Sequence, residues 1–228
     1  MRRGTHRAAQ AVPEMRVPRR FDIAQINFSG VAVLMLLAGL VAAATLDPPS
    51  ENRVPKISDE DRQLTAYHES GHALLAAYLP AGGEILQVTI VSRWGVLGSV
   101  TRAAAGSDLS DDARRARKEA ELVIALGGLI AEEIGRGGDG ITGAMTSDIK
   151  AAEKIAFDLL GGPGAGLTFA EVETGVRRLM DDAERRARDI LDSHKAELHS
   201  LAAALLERGT LEADEVADVL KGLRVSER

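Results

Sequence analysis

Residues four apart in a helix project from one face, and at His68-Glu69-Ser70-Gly71-His72 that rule sets two imidazoles side by side. The run from Leu64 to Leu79 reads as helical throughout, so His68 and His72 can share one metal ion. Neutral imidazole suits Zn²⁺, and two such nitrogens are half of a tetrahedral site. Glu69 stands beside the first histidine, where it can act on a water rather than bind the metal. This is the pattern of a zinc-hydrolase helix.

Two histidines on a buried helix face can also be ordinary core residues. The flanks argue for chemistry instead. Ser58 with Asp61 makes a capping box that opens the helix, and Pro80 marks its end. Leu64, Ala73, Leu74, Leu75 and Tyr78 would bury most of its surface. A helix packed so deeply has little reason to carry two His and a Glu in one turn unless they are used.

At 228 residues the chain holds one sizeable domain plus an appendage. Aromatic content is 3%, while Ala, Leu, Arg and Glu dominate, which predicts a mainly α protein with a small β-sheet. Without cysteine there is neither a thiolate zinc site nor a disulfide. Six arginines against Glu14 make the first 20 residues basic, although the whole chain carries −6. An acidic body almost without aromatics excludes nucleic acid as the expected partner.

The basic head fits a membrane surface instead. Ser29 to Leu46 is uncharged and just long enough to cross a hydrocarbon core. A cleaved leader is the competing reading, with Ala42-Ala43-Ala44 as the cleavage site. The basic head is long for a leader, and Asp47-Pro48-Pro49 opens a linker, so a retained single-pass anchor is expected. The domains are then a basic head at 1–26, an anchor at 27–46, a linker at 47–57 and a zinc-hydrolase domain at 58–222. Arg16, Arg19 and Arg20 outweigh Arg53 and Lys56 across the span, which favours an inside N-terminus.

Within the domain, a helix is expected over 59–79 and a strand from Glu84 to Ser92. A second short strand follows Gly95, from Val96 to Arg102. Ser110 caps a helix from Asp111 that continues through Gly127-Gly128, whose paired glycines permit close helix contact, to Ile134. Gly135 to Thr146 reads as a loop, with the next helix starting at Ser147 or Asp148 and ending at Leu160. Gly161 to Gly164 breaks the chain. A helical region from Ala170 to Arg208 splits near Asp192-Ser193, and Thr210 caps a last helix to Leu220. The Glu/Arg pairs of these C-terminal helices form a solvated face.

These pieces resemble the peptidase unit of the FtsH family of ATP-dependent, membrane-anchored zinc proteases. The resemblance rests on Ala66 to Leu74, Val88-Thr89-Ile90-Val91, Leu126-Gly127-Gly128-Leu129-Ile130-Ala131-Glu132-Glu133, Thr142-Gly143-Ala144 ahead of Ser147-Asp148, and Leu205 to Leu211. It covers roughly residues 55 to 222. It implies a helical zincin-type fold with zinc as the cofactor and protein or peptide substrates. It also implies a place in a membrane such as the bacterial inner membrane, with the peptidase on the cytoplasmic side.

The same resemblance implies Asp148 as the third ligand beside His68 and His72, and Glu132 and Glu133 as partners that orient a histidine or hold the helix. Taken alone, Asp148 reads first as a helix cap, and Glu132 or Glu133 is the runner-up for the third ligand. One departure stands out: Asp148 follows Gly143 by one residue more than the family pattern has. A loop there can absorb it.

The chemistry implied is hydrolysis of a peptide bond with Glu69 as general base. The strand around 85–91 could take an extended substrate on its edge. No G-x-x-x-x-G-K-[ST] occurs in these residues, so the chain is expected to cleave flexible substrates or to work with a separate ATPase, with a homo-oligomer as one form of assembly. The rival reading is a non-catalytic relative that keeps the fold for assembly.

Overall fold

The computed structural model describes residues 58–92, 97–104, 106, 108–136 and 143–226. The expected head, anchor and linker lie outside the described residues. Among the described helices none is long and apolar enough to cross a membrane.

Helix α1 (Asp59–Tyr78) is the centre of the domain. Ser58 caps it, its Oγ accepting from the Asp61 amide at 3.0 Å, and Asp59, Glu60 and Asp61 place negative charge at the positive end of the helix dipole. Such a cap contributes about 1 kcal/mol. Leu79 leaves the helix in an extended conformation, as a residue before proline must.

Seven helices and three strands are described. β1 (Ile85–Thr89) and β2 (Ser99–Arg102) follow α1. Next come α2 (Asp111–Ala125), α3 (Gly127–Arg136), α4 (Gly143–Leu159), α5 (Phe169–Ser193) and α6 (Lys195–Arg208). β3 (Thr210–Glu212) and α7 (Ala213–Ser226) close the chain. The sheet order is β2-β1-β3, and both pairings are antiparallel.

Helix α1 packs chiefly against α3 and α6, while α4 lies against α2 and α5. Leu74, Leu75, Leu126, Ile130, Met180, Leu191, Leu198, Leu201 and Leu205 are fully buried among them. The crossing of α1 and α3 is made by glycine. A Cβ on Gly71 would come within 2.4 Å of the Gly127 carbonyl oxygen, so the two backbones are nearly in contact there.

Four expectations are corrected here. The helix from Asp111 does not run on to Ile134. It ends at Leu126, whose amide bonds back to Val123 and Ile124 in a tightened turn, and a new helix starts at Gly127 to meet α1. The segment before Asp148 is not loop up to Thr146, because α4 already begins at Gly143. Thr210 does not cap a helix; it lies in β3, paired with Thr89. Finally, β1 is the central strand and is paired on both sides, so it offers no edge to a substrate over its paired residues; among the described residues the outer strands are β2 and β3.

Candidate metal centre

His68 and His72 both turn their Nε2 atoms toward Asp148 on α4. His68 Nε2 lies 3.0 Å from Asp148 Oδ2, His72 Nε2 lies 3.2 Å from the same oxygen, and the two Nε2 atoms are 3.1 Å apart. Helix α1 supplies two donors by its own periodicity. Asp148 arrives from the second turn of α4, so the extra residue that follows Gly143 is absorbed inside a helix and the carboxylate still faces the histidines.

The ring atoms that point away from this cluster are occupied. Nδ1–H of His72 donates to the Ile124 carbonyl at 2.7 Å, and Nδ1–H of His68 donates to Glu132 Oε1 at 2.8 Å. A proton fixed on each Nδ1 leaves each Nε2 with its lone pair directed at the cluster. Two lone pairs and a carboxylate oxygen converging so closely repel one another unless positive charge stands between them, either a metal ion or a proton on Nε2.

The spacing fits zinc. Two donors about 2.0–2.1 Å from a tetrahedral ion stand about 3.3–3.4 Å apart, close to the separations seen here. All three ligand atoms fall within 4.8 Å of one another. The electrostatics agree. Burial disfavours the charge on His68, but its hydrogen bonds to Asp148 and Glu132 outweigh that and raise it to about 10. Burial also works against the Asp148 carboxylate, yet the hydrogen bonds to His68 and His72 hold it well below the usual carboxylate range. Surroundings that favour positive charge at these atoms favour a dication there.

Glu69 is buried on the same turn, and among the described residues no hydrogen bond joins it to the three candidate ligand atoms. Burial, the dominant cause, raises it to about 7 against the opposing charges of His72 and His68. A carboxylate at that value is matched to taking and returning a proton near neutral pH.

The two glutamates that sequence reasoning treated together do different things. Glu132 reaches His68; Glu133 turns to α5 and pairs with Arg188 at 2.9 Å. Arg188 also holds Glu184. Glu132 stands on the far side of the His68 ring from the cluster, away from the third-ligand place.

Sequence reasoning missed two glycines in contact with the site. A Cβ on Gly128 would lie 2.4 Å from His68 Cε1, and one on Gly98 would lie 2.5 Å from Glu69 Oε1. Gly98 had a readable signal: an isolated glycine entering a strand pattern marks a close approach of backbone to another group.

Residues 55–164 match the family described as Peptidase family M41. An ATP-dependent zinc metalloprotease FtsH of Caulobacter vibrioides is 35% identical over 203 residues, which is 76% of this chain and 32% of that protein. The human ATP-dependent zinc metalloprotease YME1L1 is 33% identical over 194 residues, covering 78% of this chain and 25% of its own length. FTSH 11 of Arabidopsis thaliana, a chloroplastic/mitochondrial ATP-dependent zinc metalloprotease, is 31% identical over 185 residues, 75% of this chain and 23% of its own. The chain thus spans about a quarter to a third of the length of these relatives. Its geometry, its family match and these identities lead to one assignment: the chain belongs to peptidase family M41 as an FtsH-type peptidase domain, in a family of zinc metalloproteases.

Proposed function

We propose that this chain is a zinc endopeptidase in which His68, His72 and Asp148 hold the ion and Glu69 is the general base. The observation that carries the reading is the convergence of three donor atoms at 3.0–3.2 Å, with both Nδ1 atoms engaged elsewhere. Zinc held there supplies a Lewis acid that polarises the scissile carbonyl and acidifies water.

The protein groups do the rest. Glu69 accepts the proton of the attacking water at its carboxylate and passes it to the leaving amine. Glu132 keeps the His68 ring in one tautomer and one orientation. No covalent intermediate with the protein is formed. An extended substrate segment would pair along β2, an outer strand of the sheet among the described residues, which starts one residue after Gly98 and so leads to Glu69. Main-chain pairing of that kind holds a peptide with little sequence preference.

Protein segments already unfolded or flexible fit such an edge. Residues 1–228 contain no phosphate-binding loop, so any ATP dependence of the kind named for the relatives would come from an ATPase module outside these residues. The uncharged stretch from Ser29 to Leu46 supports a single membrane anchor.

The test uses the purified full chain, its zinc content and its cleavage of unfolded casein. Glu69→Gln is expected to keep one zinc per chain and to lose about 100-fold or more in turnover, the contribution typical of a positioned base. Equal cleavage by parent and variant would remove Glu69 from the mechanism. A parent chain that neither binds zinc nor cuts casein would favour the non-catalytic assembly role.

A further inference from the structure

Among the described residues, the Glu69 carboxylate has no hydrogen-bond donor to fix its direction, although the side chain is only 5% exposed. Packing against its neighbours therefore bears on where it points. The contact on one side is the backbone of Gly98, the residue that leads into β2. A Cβ built there would lie 2.5 Å from Glu69 Oε1, 2.8 Å from Cγ and 2.9 Å from Cδ. Real atoms do not approach so closely, so a side chain at 98 and the present place of the carboxylate exclude each other.

We infer that Gly98 is a positioning residue for Glu69: its bare backbone forms the wall against which the carboxylate rests. This inference rests on the reading of Glu69 as the base. Two features favour a role beyond the turn itself. The atoms that a Cβ would meet are the far end of a flexible side chain, so an added methyl displaces the carboxylate before it displaces the fold. The three nearest atoms all belong to Glu69, so the collision falls first on that side chain.

Gly98 also has a φ of +79°, a conformation that glycine adopts freely and alanine does not. That backbone cost must be separated from the collision with Glu69. Trimming Glu69 removes the collision and leaves the backbone cost unchanged, which is what makes the two distinguishable.

The experiment compares the full chain carrying Gly98→Ala, Glu69→Ala, Glu69→Gln and the Gly98→Ala combination with each Glu69 variant. Zinc content, Tm, and kcat and KM on casein are measured. Gly98→Ala is expected to keep its zinc and its KM within about twofold, and to lose kcat by about 100-fold. In the Glu69→Gln chain the same substitution should cost no further kcat. The drop in Tm caused by Gly98→Ala should shrink in the Glu69→Ala chain.

Parental kcat in Gly98→Ala overturns the inference, and so does a Tm drop of equal size with and without the Glu69 side chain, which reads without activity. A Glu69→Gln chain as active as the parent overturns the reading of Glu69 and this inference with it. An active Gly98→Ala beside an inactive Glu69→Gln overturns the inference alone.

Discussion

Glu132 Oε1 accepts a 2.8 Å hydrogen bond from Nδ1–H of His68, and the bond crosses the interface between α3 and α1. It joins the two helices whose backbones meet at Gly71 and Gly127, so helix packing and the direction of one imidazole are set together. The next residue, Glu133, is about 100° further round the helix and ties α3 to Arg188 on α5 instead.

That division of labour orders three substitutions. Asp148→Asn should cost the most zinc affinity, since an amide is a poor substitute for a carboxylate that touches the metal. Glu132→Gln should cost about 10–100-fold, the usual effect of removing a partner behind a ligating histidine. Glu133→Gln should leave zinc affinity unchanged and lower Tm only, through the lost pair with Arg188. Competition with a chromogenic chelator measures all three. Loss of zinc from Glu133→Gln, with Asp148→Asn unaffected, would reassign the third ligand.

How much of this could be read beforehand depends on whether local chemistry decides the outcome. Helix α1 was legible because Ser58, Asp61 and Pro80 are local signals and because four-residue spacing alone puts His68 beside His72. The end of α2 at Leu126 was not, since the chain breaks there to bring Gly127 onto α1, a tertiary cause. Gly143 opening α4 reads as loop because glycine is a poor helix former; only the folded chain shows the helix already formed there. Glu132 and Glu133 are chemically identical, and only the facing of α3 tells them apart. β3 is three residues long, too short for an alternating pattern to show.

The glycine crossing gives a stability prediction. At Gly71 a Cβ would meet the Gly127 carbonyl oxygen at 2.4 Å and Ala131 Cβ at 2.5 Å, and the helix backbones have no flexible end to move. Gly71→Ala should therefore force α1 from α3 at a cost of about 1–3 kcal/mol or more. Because Glu132 travels with α3, zinc affinity should fall as well. Gly106→Ala, where a Cβ meets nothing within 4 Å, is the control and should change neither. Urea unfolding monitors both variants, and equal midpoints for the two would show that the crossing is looser than described.

The segment from Ser29 to Leu46 gives a prediction about location. The chain is expected to stay in the membrane fraction after an alkaline carbonate wash, and deletion of residues 27–46 should release it. A soluble form beginning just after Ala44 would show that the segment is a cleaved leader instead. Protease added to intact spheroplasts reports the side of the peptidase domain. The arginines ahead of the span predict digestion from outside. Digestion only after lysis would place the domain in the cytoplasm, as the family resemblance implies.

Metal removal tests whether the three donors form one site in the folded chain. His68 and His72 come from α1 and Asp148 from α4, so an ion held by all three links helices that are far apart in sequence. An ion that binds only the folded state stabilises it by about 2.7 kcal/mol when its free concentration is one hundred times its Kd. For a domain of this size each kcal/mol moves Tm by about 2–4 °C. Chelation should then lower Tm by roughly 5–11 °C from that zinc-loaded state, and added zinc should restore it. Asp148→Asn should show a smaller difference between the loaded and stripped forms, because it keeps only the two ligands that already share α1. Calorimetry on parent and variant measures both differences. A parent whose Tm is the same with and without zinc, at proven occupancy, would mean that the ion does not bridge α1 and α4.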